Sequence, residues 1–150
     1  MRKGFTLLEL IVVIIILGIL ATLGYTQYVK TIEKMRGAEA RAIFGSILKL
    51  ATSYWLEKGT VAGISNADVN IGSGANLIPD SCSSTHYFYY WVWPPTPPDL
   101  VGMVAVRCTG GGKSPQGTEV SPLAGIVLEA NLRTGNASWR PYSTGQKMVY

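Results

Sequence analysis

The stretch Phe5–Val29, FTLLELIVVIIILGILATLGYTQYV, decides how this chain is organised. From Phe5 to Tyr25 it carries one charge, Glu9, and no proline. A helix rises about 1.5 Å per residue, so this run covers roughly 30 Å, the hydrocarbon thickness of a bilayer. In lipid, a lone segment satisfies its backbone only as a helix. A secretory signal peptide has a shorter apolar region, about 7 to 15 residues, ending in a small-x-small cleavage site. Here the run is longer, and Ile19-Leu20-Ala21 puts a bulky residue where a small one is needed. The reading is therefore a membrane-spanning helix. Arg2 and Lys3 keep the N-terminus cytoplasmic by the positive-inside rule, so the chain beyond Lys30 faces outward.

The rest of the composition agrees with one domain beyond the span. The chain has 150 residues, 47% apolar and 15% charged, with 13 basic and 9 acidic side chains and a net charge of +4. That length holds one core and is too short for a multidomain enzyme. Arg2 and Lys3 supply two of the four excess positive charges, and the other basic residues are scattered. With no basic run and no basic-aromatic interleaving, nucleic acid is not an expected partner.

Glu9 needs an explanation. A carboxylate inside an apolar span costs on the order of 2.5–3.5 kcal/mol, and an intramembrane ionisable group points to function. No basic side chain after Lys3 is within reach along the helix. A cut after Gly4 would create an α-amino group on Phe5, one helical turn from Glu9. Opposite charges at ~4 Å attract by roughly 4 kcal/mol at an effective dielectric near 20, which offsets the burial cost. The pairing geometry is awkward within one helix and natural between neighbouring copies.

Lys3-Gly4-Phe5-Thr6-Leu7-Leu8-Glu9, followed by an unbroken aliphatic helix, resembles the class III signal of type IV pilins and of type II secretion pseudopilins. The resemblance covers about the first thirty residues closely and the remainder in architecture. It implies cleavage between Gly4 and Phe5 by prepilin peptidase, N-methylation of Phe5, and helical packing of many subunits with Glu9 set against a neighbour's N-terminus. It also implies an inner-membrane platform protein and a cytoplasmic assembly ATPase as partners, besides further copies or related subunits. The short leader resembles the IVa group. Thr26 stands about where most of these families carry the proline that goes with a kink or a melted stretch. Gly18 and Gly24 are the weak points instead, each costing about 1 kcal/mol relative to alanine.

Beyond Tyr28 the pattern turns amphipathic. Tyr28, Ile32, Met35, Ala42, Ile43, Ile47, Leu50 and Tyr54 recur at spacings compatible with a 3.6-residue period, with Ile43, Ile47 and Leu50 as expected core. One helix is expected from Phe5 to about Lys58, with Gly59 as its stop. Glu33, Lys34, Arg36, Glu39 and Arg41 form a mixed-charge collar, read as a solvated face. Residues 59–79 are low in charge and show no period, as expected of a long exterior connection. Tyr87–Trp93, Leu100–Cys108, Gly125–Asn131 and Ala137–Arg140 read as strands, with the prolines between Pro94 and Pro98 ending the first. The fold class is α+β: a long N-terminal helix, apolar then amphipathic, packed against three or four antiparallel strands. The organisation is a leader at 1–4, an assembly helix at 5–29, an amphipathic helix at 30–58, a connection at 59–79 and a sheet head at 80–150.

Symmetric pairing of the first two strands about Pro95–Pro98 sets Cys108 opposite Thr85, close enough for a disulfide with Cys82 outside the cytoplasm. Two cysteines and His86 lack metal-ligand spacing, and no cofactor is expected. Asp68, Asp80 and Asp99 lack the spacing of a calcium loop. Gly112-Lys113-Ser114 fails as a phosphate loop, because Arg107 stands where the first glycine belongs and Pro115 follows at once. Without a nucleophile-base pair or paired catalytic carboxylates, no enzyme is expected. The function expected is a structural subunit of a type IV pilus-like filament, held in the inner membrane before assembly and extracellular or periplasmic after it. Two further readings are a minor pilin or pseudopilin whose head serves adhesion, DNA uptake or secretion, and a single-pass anchored binding module.

Overall fold

The computed structural model describes residues 5–72, 78–82, 86–96, 98–108 and 125–142, without the side chains of residues 30 and 33. Helix α1 spans Leu7–Lys58, followed by a short 3-10 turn at Asn66–Val69. Four strands come next: β1 at Phe88–Trp93, β2 at Leu100–Arg107, β3 at Gly125–Asn131 and β4 at Ala137–Pro141. They form one antiparallel sheet in the order β1-β2-β3-β4. The chain divides into two units, Met1–Ile32 and Glu33–Tyr150.

The first unit is helix. Its start is fixed by a reciprocal cap: the Glu9 N–H donates to Thr6 Oγ1 at 3.3 Å, and the Thr6 N–H donates to Glu9 Oε2 at 2.9 Å. This capping box satisfies backbone donors that the first helical turn leaves without partners. The helix continues through Gly18 and Gly24. Thr22 and Thr26 turn their hydroxyls back onto the carbonyls of Ile19 and Leu23, so neither exposes an unmet donor to an apolar medium.

In the second unit, α1 lays one line of side chains against the sheet. Ala40, Phe44, Ile47 and Ala51 are fully buried, at spacings of four, three and four residues. Ile43, Leu50 and Tyr54 are half-buried on the flank, whereas Ala42 and Met35 are exposed. Of the expected core trio only Ile47 is fully buried, because the sheet meets the face centred on Phe44. The Phe44 ring stands edge-on to Tyr90 at 6.0 Å, an arrangement the ring quadrupoles favour. Burial pushes the Tyr90 phenol far above its ordinary pKa, with the Glu39 charge adding to the shift. The helix ends at Gly59, whose φ of 73° is left-handed and whose N–H closes on the Trp55 carbonyl at 2.7 Å.

The connection after α1 differs from the exterior loop expected of it. Val61, Ile64, Val69 and Ile71 are all buried in the same core as Phe44. The segment also covers the free edge of β1: Pro79 O accepts from the Tyr90 N–H at 2.8 Å, and Asn66 Oδ1 from the Val92 N–H at 3.0 Å. An exposed strand edge invites pairing with other chains, and this cover removes the invitation.

Strand β1 alternates as its sequence implies, with Phe88, Tyr90 and Val92 in the core and Tyr89, Trp91 and Trp93 on the opposite face. The β1–β2 register is shifted from symmetric pairing: Phe88 pairs with Arg107 and Trp93 with Gly102. Cys108 therefore lies opposite Tyr87 rather than Thr85, and its N–H donates to the Tyr87 carbonyl at 2.9 Å. Pro94 and Pro95 cannot extend the ladder of β1, while Leu100 and Val101 continue β2 against β3 alone. Cys82 and Cys108 form a disulfide with Cα atoms 5.7 Å apart.

Two stability measurements follow from this packing. Phe44→Ala is expected to destabilise the fold by about 3–5 kcal/mol, whereas Leu56→Ala, at an exposed site, should stay within about 0.5 kcal/mol. Urea unfolding of the detergent-solubilised chain, followed by tryptophan fluorescence, checks both. Replacing both cysteines by serine removes a crosslink across 26 residues. By the loop-entropy relation it should lower stability by about 3–4 kcal/mol in the same assay.

Candidate functional site

The chemistry-bearing residues of the N-terminus gather in the first turn of α1. Thr6 Oγ1 donates to Glu9 Oε2 at 2.9 Å, so Oε2 accepts two bonds from Thr6 while Oε1 accepts none among the described residues. Phe5 is 81% exposed, and Leu7, Leu8 and Leu10 beside it are also exposed. The aliphatic run continues exposed through Leu23, and α1 is long and apolar enough to cross a membrane. One carboxylate with an open oxygen thus lies at the head of an uncovered apolar surface. Gly4 lies outside the described residues.

The capping role of Glu9 is a finding that sequence reasoning missed. Its signal was present: a threonine followed three residues later by a glutamate, just before an apolar run, marks a helix N-terminus. Charge at that position also meets the positive end of the helix dipole, a favourable interaction of about 0.3–1 kcal/mol at exposed sites.

In the second unit the three aspartates part company. Asp68 is bound to Ser65, accepting from its N–H at 2.8 Å and its hydroxyl at 2.6 Å, and these bonds hold its pKa below the ordinary carboxylate value. Asp80 accepts from the Ser81 hydroxyl. Asp99 is a structural hub: Oδ2 accepts from Arg133 Nε at 2.7 Å and Oδ1 from Trp55 Nε1 at 2.9 Å. Its backbone carbonyl also takes the Leu132 N–H. These bonds tie the end of α1, the proline-rich loop and the β3–β4 turn to one residue. Among the described residues, no three His, Cys, Asp or Glu side chains come together as a metal cluster. Gly112-Lys113-Ser114 and its glycine-rich loop lie outside the described residues.

The collar and the cysteine region also meet through charge and rings. The Arg36 guanidinium lies 4.3 Å from the Tyr87 ring centre, and that of Arg107 lies 5.0 Å from it. Arg107 is 1% exposed, and its Nη1 donates to the carbonyls of Tyr87 and Cys108. Two collar residues are thus engaged with aromatic rings, Arg36 with Tyr87 and Arg41 with Trp139 at 5.7 Å. His86 is half-buried near the same strand end.

The family model of the prokaryotic N-terminal methylation motif matches residues 1–25. The chain carries a type IV pilin signal on a pilin-like α+β architecture. It is similar to the fimbrial protein EcpC of Eikenella corrodens, at 28% identity over 144 residues, which is 92% of this chain and 80% of that protein. No solved structure matches it. In this pilin-like chain the matched motif ends within the exposed apolar part of α1, so the signal and the uncovered surface are the same segment.

The Asp99 hub makes a pH prediction. The bonds from Arg133 first, and Trp55 second, hold the Asp99 carboxyl below its ordinary pKa. Its contribution to stability is complete above about pH 4, where the unfolded carboxyl ionises, and is lost as pH falls through the lower folded value. Asp99→Asn should lower the Tm at pH 7. That deficit relative to the parent chain should shrink progressively below about pH 4, as measured by thermal melts across the acid range.

Proposed function

We propose that the chain is a structural subunit of a type IV pilus-like filament, cleaved by prepilin peptidase between Gly4 and Phe5, N-methylated on Phe5 and polymerised through the apolar part of α1. The observation that carries this reading is the pairing of an uncovered aliphatic helix with one carboxylate, Glu9, whose Oε1 is unbonded among the described residues. The methylation motif at residues 1–25 and the fimbrial relative support it.

In this reading residues 1–4 are the leader and 5–29 anchor the subunit in the inner membrane, N-terminus cytoplasmic and head outside. Residues 30–58 and 80–150, joined by 59–79, form the head. Once Gly4 is removed, the Phe5 amine of an adjoining subunit is the cation that Oε1 accepts. Thr6 keeps Oε2 occupied, which fixes the carboxylate and spares part of the cost of burying it. The protein is a structural one and not an enzyme. Its partners are further pilin subunits, the peptidase, the platform protein and the assembly ATPase. A minor pilin with a binding head shares the same N-terminal chemistry, and the abundance of the chain in sheared filaments separates the two.

Mass spectrometry of the native protein should find N-methyl-Phe5 as the mature N-terminus; an intact Met1 would overturn processing and favour a single-pass anchored module. Glu9→Ala should leave insertion and cleavage in place and abolish or strongly reduce filaments seen by electron microscopy. Gly4→Leu should leave unprocessed precursor in the membrane, visible as a band of higher mass on immunoblots.

A further inference from the structure

The sheet face turned away from α1 carries a second surface, unrelated to the N-terminal signal. Its cross-strand rows follow from the register: Trp93–Gly102–Glu129–Ser138 and Trp91–Val104–Val127–Arg140. A third row adds Tyr89 opposite Val106, with Tyr142 donating its N–H to Gly125 O at 3.0 Å. One of the rows places a glycine beside a large ring. A β-carbon on Gly102 would overlap the indole of Trp93, whereas one on Gly125 would meet first the Ala105 carbonyl oxygen and then Tyr142 Cβ. The missing side chain at Gly102 lets the Trp93 ring lie down against the sheet.

The result is a pocket of about 310 Å³ lined by Trp91, Trp93, Val104, Val127, Arg140 and Tyr142. Its rings are held by one another: Trp91 stacks on Tyr89 at 5.5 Å and meets Tyr142 edge-on at 5.4 Å. Arg140 is fixed by Glu129, with both Nε at 3.2 Å and Nη2 at 2.7 Å converging on Oε1. Glu129 Oε2 and Arg140 Nη1 accept and donate no bond among the described residues.

We infer that this pocket binds a neutral sugar, one or two pyranose rings of an oligosaccharide. The flat rings offer negative faces to the polarised C–H groups of a pyranose, and their packing fixes them before the ligand arrives. The Glu129–Arg140 couple adds one open acceptor and one open donor side by side, which matches adjacent hydroxyls. Its charges cancel, so neither a phosphate nor an ammonium ligand gains from it. An apolar peptide or lipid chain would bury both open polar atoms without replacing their water, at a cost of about 1–3 kcal/mol for each group. The volume is at the lower end of small-molecule pockets, which suits one or two rings.

The test uses the full chain in lauryldimethylamine oxide, a detergent without a sugar headgroup, with saturation-transfer NMR titrations of lactose, cellobiose and N,N′-diacetylchitobiose. Saturable binding of at least one of them is expected, with a Kd on the order of 1 mM. Trp91→Ala should weaken that binding about tenfold or more, and Glu129→Gln several-fold. Circular dichroism reports whether each variant keeps its fold; should Trp91→Ala fail, Glu129→Gln on β3 and Arg140→Gln on the edge strand β4 decide the matter. Absence of binding by all three sugars overturns the inference, as does binding that these variants leave unchanged. If the variants instead abolish self-association of the chain measured by analytical ultracentrifugation, with no sugar bound, the face is a contact between copies and the sugar site is wrong.

Discussion

Apolar surface that nothing in the same unit covers is the constraint on which this protein turns. From Phe5 to Leu23 the aliphatic side chains are exposed. Burying one such side chain is worth about 1.5–3 kcal/mol, so the segment as a whole carries tens of kcal/mol that only lipid or other helices can supply. The same surroundings make every unmet polar atom expensive. The threonine hydroxyls answer this by bonding to the carbonyls of their own helix, and Thr6 and Glu9 answer it by capping each other. Glu9 is therefore tied to its own helix through one oxygen, and the other accepts no bond among the described residues.

The second unit solves the opposite problem by covering its apolar face from within. Small residues at Ala40 and Ala51 flank Phe44 and Ile47 on one line of α1, and the sheet and the connecting segment close over them. Loops are then pinned at a few points of long sequence reach. Asp99 joins Trp55 to Arg133, the disulfide joins Cys82 to Cys108, and Asn66 and Pro79 seal the edge of β1. At the other edge, Pro141 has no N–H to offer a passing strand, and Arg140 adds charge. The core face of the sheet supplies stability, while the opposite face, freed from that duty, holds the aromatic pocket.

Local composition and the glycine and proline breaks located the elements. Twenty-odd apolar residues without proline define the start of α1, Gly59 defines its end, and β-branched and aromatic runs between prolines and glycines define four strands within a residue or so of their observed limits. Periodicity did not tell which line of α1 faces the sheet. Ile43, Ile47 and Leu50 fit a helical stripe as well as Ala40, Phe44, Ile47 and Ala51 do, and alanine carries little hydrophobic signal. The connection at 59–79 was opaque for a related reason, since its buried residues Val61, Ile64, Val69 and Ile71 follow no regular period.

The sequence by itself determined the helix, the strands, the pilin-type N-terminus and the pairing of two cysteines, because each rests on residues a few positions apart or on having only one possible mate. The tertiary structure decided the two-residue register shift that sets Cys108 against Tyr87, the convergence of Trp55 and Arg133 on Asp99, and the Trp93 ring laid over Gly102. Those contacts join residues from nine to 44 positions apart. Their geometry depends on where the chain turns, which the prolines after β1 and the packing around Phe44 fix only once the whole sheet has formed.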